Sequence, residues 1–212
     1  MLSVLGQDYP DLEYIVIDGA STDGTQQIIS KYQDRLAYWV SEPDRGIYDA
    51  MNKGVSHATG QWVNFMNAGD TFADPGVLAD IFGHGIGDEV LLIGGNTINF
   101  FADGREERHL AESASVIPER LPFSHQASFV RRGVCQFDTD YRLAADYALF
   151  YRLYYKHGAG SIMAVDRDIA RYRQEGSTTM QNPKMVKGEY LAIQAYHISW
   201  RWIKEYIKWR WF

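Results

Sequence analysis

Short β-branched runs alternate with helical periodicity across residues 12–82, and this alternation limits the folds open to the chain. Leu12-Glu13-Tyr14-Ile15-Val16-Ile17 reads as a strand that stops at Asp18-Gly19, and a helix is expected over about 25–34. Tyr38-Trp39-Val40 reads as the next strand, stopped by Ser41-Glu42-Pro43-Asp44. Residues 47–58 place Ile47, Ala50, Met51, Val55 and Ala58 on or near one side of a helix. Trp62 to Met66 is expected as a third strand and Pro75 to Phe82 as a third helix. Strand-helix alternation at this spacing predicts an α/β fold with a mostly parallel sheet and right-handed crossovers.

In such sheets ligands sit beyond the carboxyl ends of the strands, and three expected strand ends carry an acid: Asp18, Asp44 and Asp70. Each taken singly also fits a structural role, Asp18 or Asp23 as a helix cap and Asp44 as a turn former. Their recurrence at successive strand ends favours a shared site.

The second half changes character. Val90 to Gly94 and Thr97 to Phe101 read as two strands separated by a turn at Gly94-Gly95, with a second turn at Ala102-Asp103-Gly104. Residues 105–120 read as a polar surface segment. Ser124 to Val130 reads as a strand, Tyr141 to His157 as a helix containing Asp146, Ile162 to Val165 as a strand and Arg171 to Thr179 as a polar loop. There is no repeat and no linker, so residues 1–190 are expected as one domain, followed by a distinct tail over 191–212.

Several function classes lack their residues. The chain has no GxxxxGK[ST], GxGxxG or GxSxG, and its six histidines form no zinc spacing. With 21 basic and 27 acidic residues the net charge is −6, which argues against a general nucleic-acid surface. The single cysteine, Cys135, allows no internal disulfide, and no apolar stretch reaches membrane-spanning length, so a cytoplasmic chain is expected. The tail holds four of the six tryptophans, with Arg201, Lys204, Lys208 and Arg210 against the single acid Glu205. In helical register Tyr196, Trp200, Ile203, Ile207 and Trp211 share one side. The pattern suits a membrane interface, and equally a helix docked on its own domain or a homodimer seam.

Ordered blocks along the chain resemble glycosyltransferase family 2, whose members are inverting enzymes with the GT-A fold, a Rossmann-like, mostly parallel sheet. Tyr14 to Thr25 (YIVIDGASTDGT) resembles the first block of that family, and Ser41 to Gly54 with Ala58-Thr59-Gly60 the second. Asn67-Ala68-Gly69-Asp70 stands where the family carries its acidic metal motif. His125-Gln126, Phe137-Asp138 and Ala144-Ala145-Asp146-Tyr147 resemble the acceptor-side blocks of a subgroup that builds bacterial exopolysaccharide, O-antigen and colanic-acid-type chains.

The resemblance implies roles. Asp18 contacts the nucleoside, with Asp23 supporting that turn, and Asp44, Arg45 and Asn67 lie near the nucleotide-diphosphate sugar. Asp70 binds Mg²⁺ or Mn²⁺. Asp146 is the general base for direct displacement, the alternative being a carboxylate on the solvent face of its helix. His125, Gln126, Arg173 and Ser177 fall on the acceptor or diphosphate side, with a hydrogen-bonded core histidine as the alternative for His125. The acceptor implied is a saccharide or lipid-linked saccharide, with the enzyme on the inner face of the plasma membrane.

Two departures stand out. Asn67 and Gly69 replace acids of the usual motif, so the donor phosphates are expected to supply more metal ligands. Met1 to Gln7 matches the end of the family's first helix, so a central first strand is expected to be missing; its loss would leave an unpaired sheet edge at a cost of several kcal/mol. An inactive, truncated relative that binds only nucleotide, membrane or a partner is therefore the rival expectation. A nucleotidyltransferase on a similar sheet is a third.

Overall fold

The computed structural model describes residues 1–174 and 178–196. After a single turn α1 (Leu2–Leu5), the first half alternates as expected: β1 (Ile15–Asp18), α2 (Thr25–Lys31), β2 (Tyr38–Ser41), α3 (Ile47–His57), β3 (Trp62–Val63), β4 (Thr71–Phe72) and α4 (Val77–Phe82). The second half contributes β5 (Leu92–Phe100), β6 (Glu106–His109), β7 (Ser128–Arg131), α5 (Ala145–His157), β8 (Ile162–Arg173) and α6 (Thr178–Gln181). Residues 183–196 form a further helix, α7.

The strands form two groups. β1 and β2 pair in parallel, in register from Ile15 opposite Tyr38 to Asp18 opposite Ser41. The larger sheet has the order β3-β7-β5-β8-β4, with β6 added to β5. Its β5–β8 pair is parallel, and its other pairs are antiparallel. The flanking helices and α/β layering match the expectation, while the sheet itself is mixed.

Strand alternation sends neighbouring residues of this sheet into two cores. Leu92 and Val130 face α5 and its aromatic cluster. Ile93 and Phe129 face the other side, with Val77, Leu78 and Ile81 of α4 and Ile169 of β8. Leu92 and Ile93 are fully buried, whereas Ile15, Val16 and Ile17 of β1 are only half-buried.

Several expectations about individual elements need correction. The glycines expected as a turn at Gly94-Gly95 lie inside one continuous strand. A Cβ on Gly94 would fall 2.2 Å from the Phe123 ring, and one on Gly95 would fall 2.5 Å from Ile169 Cδ1. Glycine serves close packing there, together with a register shift between Gly94 and Asn96. The Ile162–Val165 strand extends to Arg173, drawing Arg171, Tyr172 and Arg173 out of the expected loop, because β4 and β5 pair with it along that length. The expected helix over 141–157 begins at Ala145. The preceding N–H groups of Arg142, Leu143 and Ala144 donate instead to the Glu189 carboxylate on α7, at 2.8–2.9 Å.

Position 190 lies within α7, where Tyr190 stacks on Tyr147 with 4.0 Å between ring centroids. Gln194 Nε2 also donates to the Tyr147 hydroxyl at 2.9 Å. Ser177 and the tail from 197 onward lie outside the described residues.

Candidate active site

The parallel register of β1 and β2 sets Asp18 beside Ser41 at the ends of their strands. Asp18 Oδ2 accepts from Ser41 Oγ at 2.6 Å and from the Ser21 backbone N–H at 3.0 Å, and Oδ1 accepts from Ser21 Oγ. The chain folds back so tightly because Ala20 adopts a left-handed φ of 63°, sparsely populated for a residue with a Cβ. Burial alone would raise the Asp18 pKa; the serine donors outweigh it and hold the carboxyl below its ordinary value.

Asp44 closes over the same turn. Its Oδ1 accepts from the Gly46 N–H at 2.9 Å, and its Oδ2 lies 2.5 Å from where a Cβ on Gly19 would stand. A side chain at position 19 would have to displace that carboxylate from its place. Asp23 Oδ1 accepts from Thr25 Oγ1 at 2.7 Å and from the Thr25 N–H at 3.1 Å, which shapes the entry to α2. Arg45 is exposed and pairs with Asp49 one turn into α3, at 3.0 Å.

The second part of the site gathers around the turn after β3. Only Trp62 and Val63 of the expected five-residue strand pair with β7. Beyond them the Asn64 amide continues the junction, donating to Gln126 O at 2.8 Å and Ser128 O at 2.9 Å. The Asn67-Ala68-Gly69-Asp70 turn closes through the Asp70 N–H on Asn67 O at 3.1 Å, with Gly69 at φ 96°. Asp70 Oδ1 then accepts from the Arg173 backbone N–H and Oδ2 from Gln126 Nε2, both at 3.1 Å. The antiparallel β4–β8 register, Thr71 opposite Arg171, brings Arg173 there. Burial pushes the Asp70 carboxyl above its ordinary value, and the opposing effects of the Arg173 N–H, the Gln126 amide and the nearby His125 do not reverse that.

Asp146 lies in the first turn of α5, where the helix dipole favours a carboxylate, and is 6% exposed. It faces inward and not onto the solvent side. Its Oδ1 accepts from the Tyr48 hydroxyl at 3.1 Å and the Tyr147 N–H at 2.8 Å. Its Oδ2 faces His125 Nδ1 at 3.0 Å, and His125 Nε2 faces Asn67 Nδ2 at 3.0 Å. His125, Gln126, Asn67, Asp70, Arg173 and Asp146 thus form one connected cluster, while Asp18, Asp23 and Asp44 form another. Helix α3 joins the two, starting just after Asp44 and sending Tyr48 to Asp146.

Tyr48, Ser41, Ser21 and Glu189 were not singled out in the sequence. Ser41 could have been, as a hydroxyl at a strand end beside the acids. Tyr48 could not, because it looks like any core residue of α3 and reaches Asp146 across 98 positions.

Among the described residues no three of His, Cys, Asp and Glu form a ready-made metal cage. Asp70 nevertheless suits a hard divalent cation as a single anchoring ligand. It is a buried carboxylate whose oxygens accept from a side-chain amide and a backbone N–H, each oxygen keeping a lone pair, and burial dominates its environment.

Known proteins share this architecture. The mannosyltransferase PcManGT from Pyrobaculum calidifontis, in complex with GDP-Man and Mn²⁺, superimposes with a TM-score of 0.67 at 20% identity, covering 93% of this chain and 58% of that one. The glucosyl-3-phosphoglycerate synthase from Mycobacterium tuberculosis, in complex with Mn²⁺, UDP-Glc and phosphoglyceric acid, gives 0.54 at 17% identity, covering 85% and 68%. These likenesses establish the GT-A fold. In sequence, the PGL/p-HBAD biosynthesis glycosyltransferase of Mycobacterium bovis is 31% identical over 157 residues, 68% of this chain and 59% of that protein. An uncharacterized glycosyltransferase of M. tuberculosis is 46% identical over 78 residues, 36% of this chain and 30% of that protein. The chain thus spans less than two thirds of these curated relatives. Residues 1–157 match the profile of Glycosyl transferase family 2, and the chain belongs to that family.

Proposed function

We propose that this chain carries out inverting transfer of a sugar from a nucleotide-diphosphate donor to a hydroxyl of a saccharide or lipid-linked saccharide, in the synthesis of a bacterial surface polysaccharide. The observation that carries the reading is the pairing of two carboxylates in one cluster, Asp70 on the donor turn and Asp146 behind His125, linked through Gln126 and Asn67.

Asp18, with Asp23 and Asp44 around the same turn, holds the nucleoside end. Arg45, at the mouth of α3, reaches the diphosphate by exchanging its Asp49 partner, and a guanidinium fork suits paired phosphate oxygens. Arg173 is assigned to the diphosphate side, the side to which the family resemblance also assigns Ser177. Mg²⁺ or Mn²⁺ at Asp70, when bound, offsets charge on the departing nucleoside diphosphate. Gln126 and the Arg173 N–H fix the direction in which the Asp70 oxygens point. Asp146 supplies the negative charge that draws the proton from the attacking hydroxyl, and inverting displacement needs no second carboxylate as nucleophile.

Calorimetry and product assay of two variants test this division. Asp70→Ala is expected to lose metal-dependent donor binding, and Asp146→Ala to lose transfer by about 10²–10⁴-fold while binding donor normally. Equal loss of binding in both would refute it.

The competing reading, a relative that binds nucleotide without transferring sugar, is favoured by the lone carboxylate on the metal turn and the half-buried β1. It predicts donor binding with no release of nucleoside diphosphate. A nucleotidyltransferase would instead release pyrophosphate. We also infer a peripheral position on the inner face of the plasma membrane through residues 196–212, whose basic and aromatic composition suits an anionic interface. Among the described residues no helix is long and apolar enough to cross a membrane. Co-sedimentation with phosphatidylglycerol vesicles, lost on deletion of 197–212, is the expected result; a monomer–dimer shift without vesicle binding would indicate the homodimer seam instead.

A further inference from the structure

We propose that the atom taking the proton from the attacking hydroxyl is His125 Nε2, that Asp146 positions and charges the ring, and that Asn67 keeps this nitrogen covered until a donor fills the turn. The inference rests on the sugar-transfer reading and refines one step of it.

Asp146 is poorly placed to meet a substrate. Its two oxygens already accept from the Tyr48 hydroxyl, the Tyr147 N–H and His125 Nδ1, and its side chain is 9% exposed against 14% for His125. The imidazole stands between this carboxylate and the donor turn. A carboxylate that accepts two other hydrogen bonds acts toward the ring as an acceptor, so Nδ1 carries the hydrogen and donates it to Asp146. In the neutral ring Nε2 is then the bare, basic nitrogen. That tautomer independently explains why Asn67 presents its NH₂ group there, at 3.0 Å. Carboxylate, ring and a basic nitrogen turned away from the carboxylate is the arrangement by which a buried acid makes a histidine a general base.

Asn67 gives the arrangement its control. It begins the turn that ends in Asp70, and its backbone carbonyl accepts the Asp70 N–H. A ribose or sugar hydroxyl that engages the Asn67 amide draws it off the ring, and Nε2 opens only when a donor is present. In the step itself the acceptor oxygen bonds to the anomeric carbon and its proton passes to Nε2. The bond from that carbon to the diphosphate oxygen breaks, and its electron pair leaves with the nucleoside diphosphate. The resulting imidazolium, held by Asp146, returns its proton to solvent.

The test uses the 212-residue chain with Mn²⁺ and UDP-glucose, UDP-N-acetylglucosamine or GDP-mannose, reading nucleoside diphosphate release with water as the attacking hydroxyl. Donor binding is measured in parallel by calorimetry. For His125→Gly the expected result is a loss in kcat of about 10²–10⁴-fold with donor binding unchanged, and recovery of about tenfold or more on adding free imidazole. His125→Gly with wild-type turnover, or without imidazole recovery while Asp146→Ala is inactive, would overturn the assignment in favour of direct proton transfer to Asp146. A wild-type chain that binds and turns over none of the three donors would overturn the sugar-transfer reading and this step with it, an outcome separable from the first because it shows before any variant is made. Imidazole ¹⁵N resonances of the wild-type chain give a measure free of turnover. They should show His125 as the Nδ1–H tautomer, with its Nε2 resonance shifting when UDP-glucose and Mg²⁺ are added; an Nε2–H tautomer, or a resonance that UDP-glucose binding leaves unmoved, would count against the proposal.

Discussion

Asp18 ends strand β1 and Asp70 ends the turn that leads into β4, and the two are equally withdrawn from solvent, each 7% exposed. They are held in opposite ways. Asp18 is surrounded by hydroxyl and amide donors from Ser21 and Ser41, and its pKa is lowered. Asp70 receives one backbone N–H and one side-chain amide, burial prevails, and its pKa is raised. Hydrogen-bond donors outweigh burial at the first carboxylate, and burial outweighs them at the second. The difference is the basis for our proposal that an external cation would sit at Asp70, the carboxylate whose ionised form the fold disfavours.

The largest effect that could break this contrast is on donor affinity. Asp70→Ala should remove the dependence of donor binding on Mn²⁺, with affinity falling by about 100-fold or more at saturating metal, as loss of one buried charge-assisted contact implies. Asp18→Ala should weaken binding about tenfold and equally with and without Mn²⁺. Matching metal titrations for the two variants would end the distinction.

A second test uses pH and thermal unfolding without ligand. Asp70 has a folded pKa above its unfolded value, so its ionised form costs native stability at neutral pH and that cost vanishes once the group is protonated in both states. Asp70→Asn, accommodated by turning the Gln126 amide, should raise Tm at pH 7, with the gain fading as pH falls through the raised folded pKa toward the unfolded carboxylate value. Asp18 has the reverse sign. Its contribution is present above the unfolded pKa and is lost as pH falls through the lower folded value. Asp18→Asn should therefore lower Tm at pH 7, and the deficit should shrink in acid. Each kcal/mol corresponds to about 2–4 °C in a chain of this size. Parallel pH profiles for the two variants would contradict the opposed shifts.

The smallest effect separates the donors. Ser41→Ala removes one of several donors to Asp18 and should cost about 1–2 kcal/mol at neutral pH, read as a lower urea midpoint with unchanged slope. Gln126→Met removes the side-chain amide donor to Asp70, and should make Mn²⁺ stabilise the chain more in relative terms than it does the wild type. A Ser41→Ala variant that instead gained metal dependence would blur the comparison.

Much of the donor side was legible in the sequence because it is local. A strand that ends in an acid, followed by a glycine and a serine-rich turn, places Asp18 within three residues of Ser21, and the spacing of Asp44 before α3 follows the same logic. The acceptor side was legible only as a set of residues resembling a family. The run Trp62 to Asp70 shows why: it reads as one strand with an acid at its end, yet pairing stops at Val63 and the Asn64 side chain carries the connection onward to β7. Gly94 and Gly95 were misread for the same reason. Two adjacent glycines signal a turn when only the neighbours in sequence are visible, and a packing contact when Phe123 and Ile169 lie where their side chains would be.

The sequence by itself determined the α/β alternation, the acid that ends β1 and membership of a sugar-transferase family, since periodicity, turn chemistry and ordered blocks are properties of residues close together in the chain. Tertiary structure alone decided what each carboxylate experiences. A serine of the turn after β1 and a serine of β2 lower Asp18, burial raises Asp70, and a tyrosine 98 residues away shares Asp146 with His125. Proton affinity depends on desolvation and on donors within a few ångströms, and those distances exist only once distant segments have packed together.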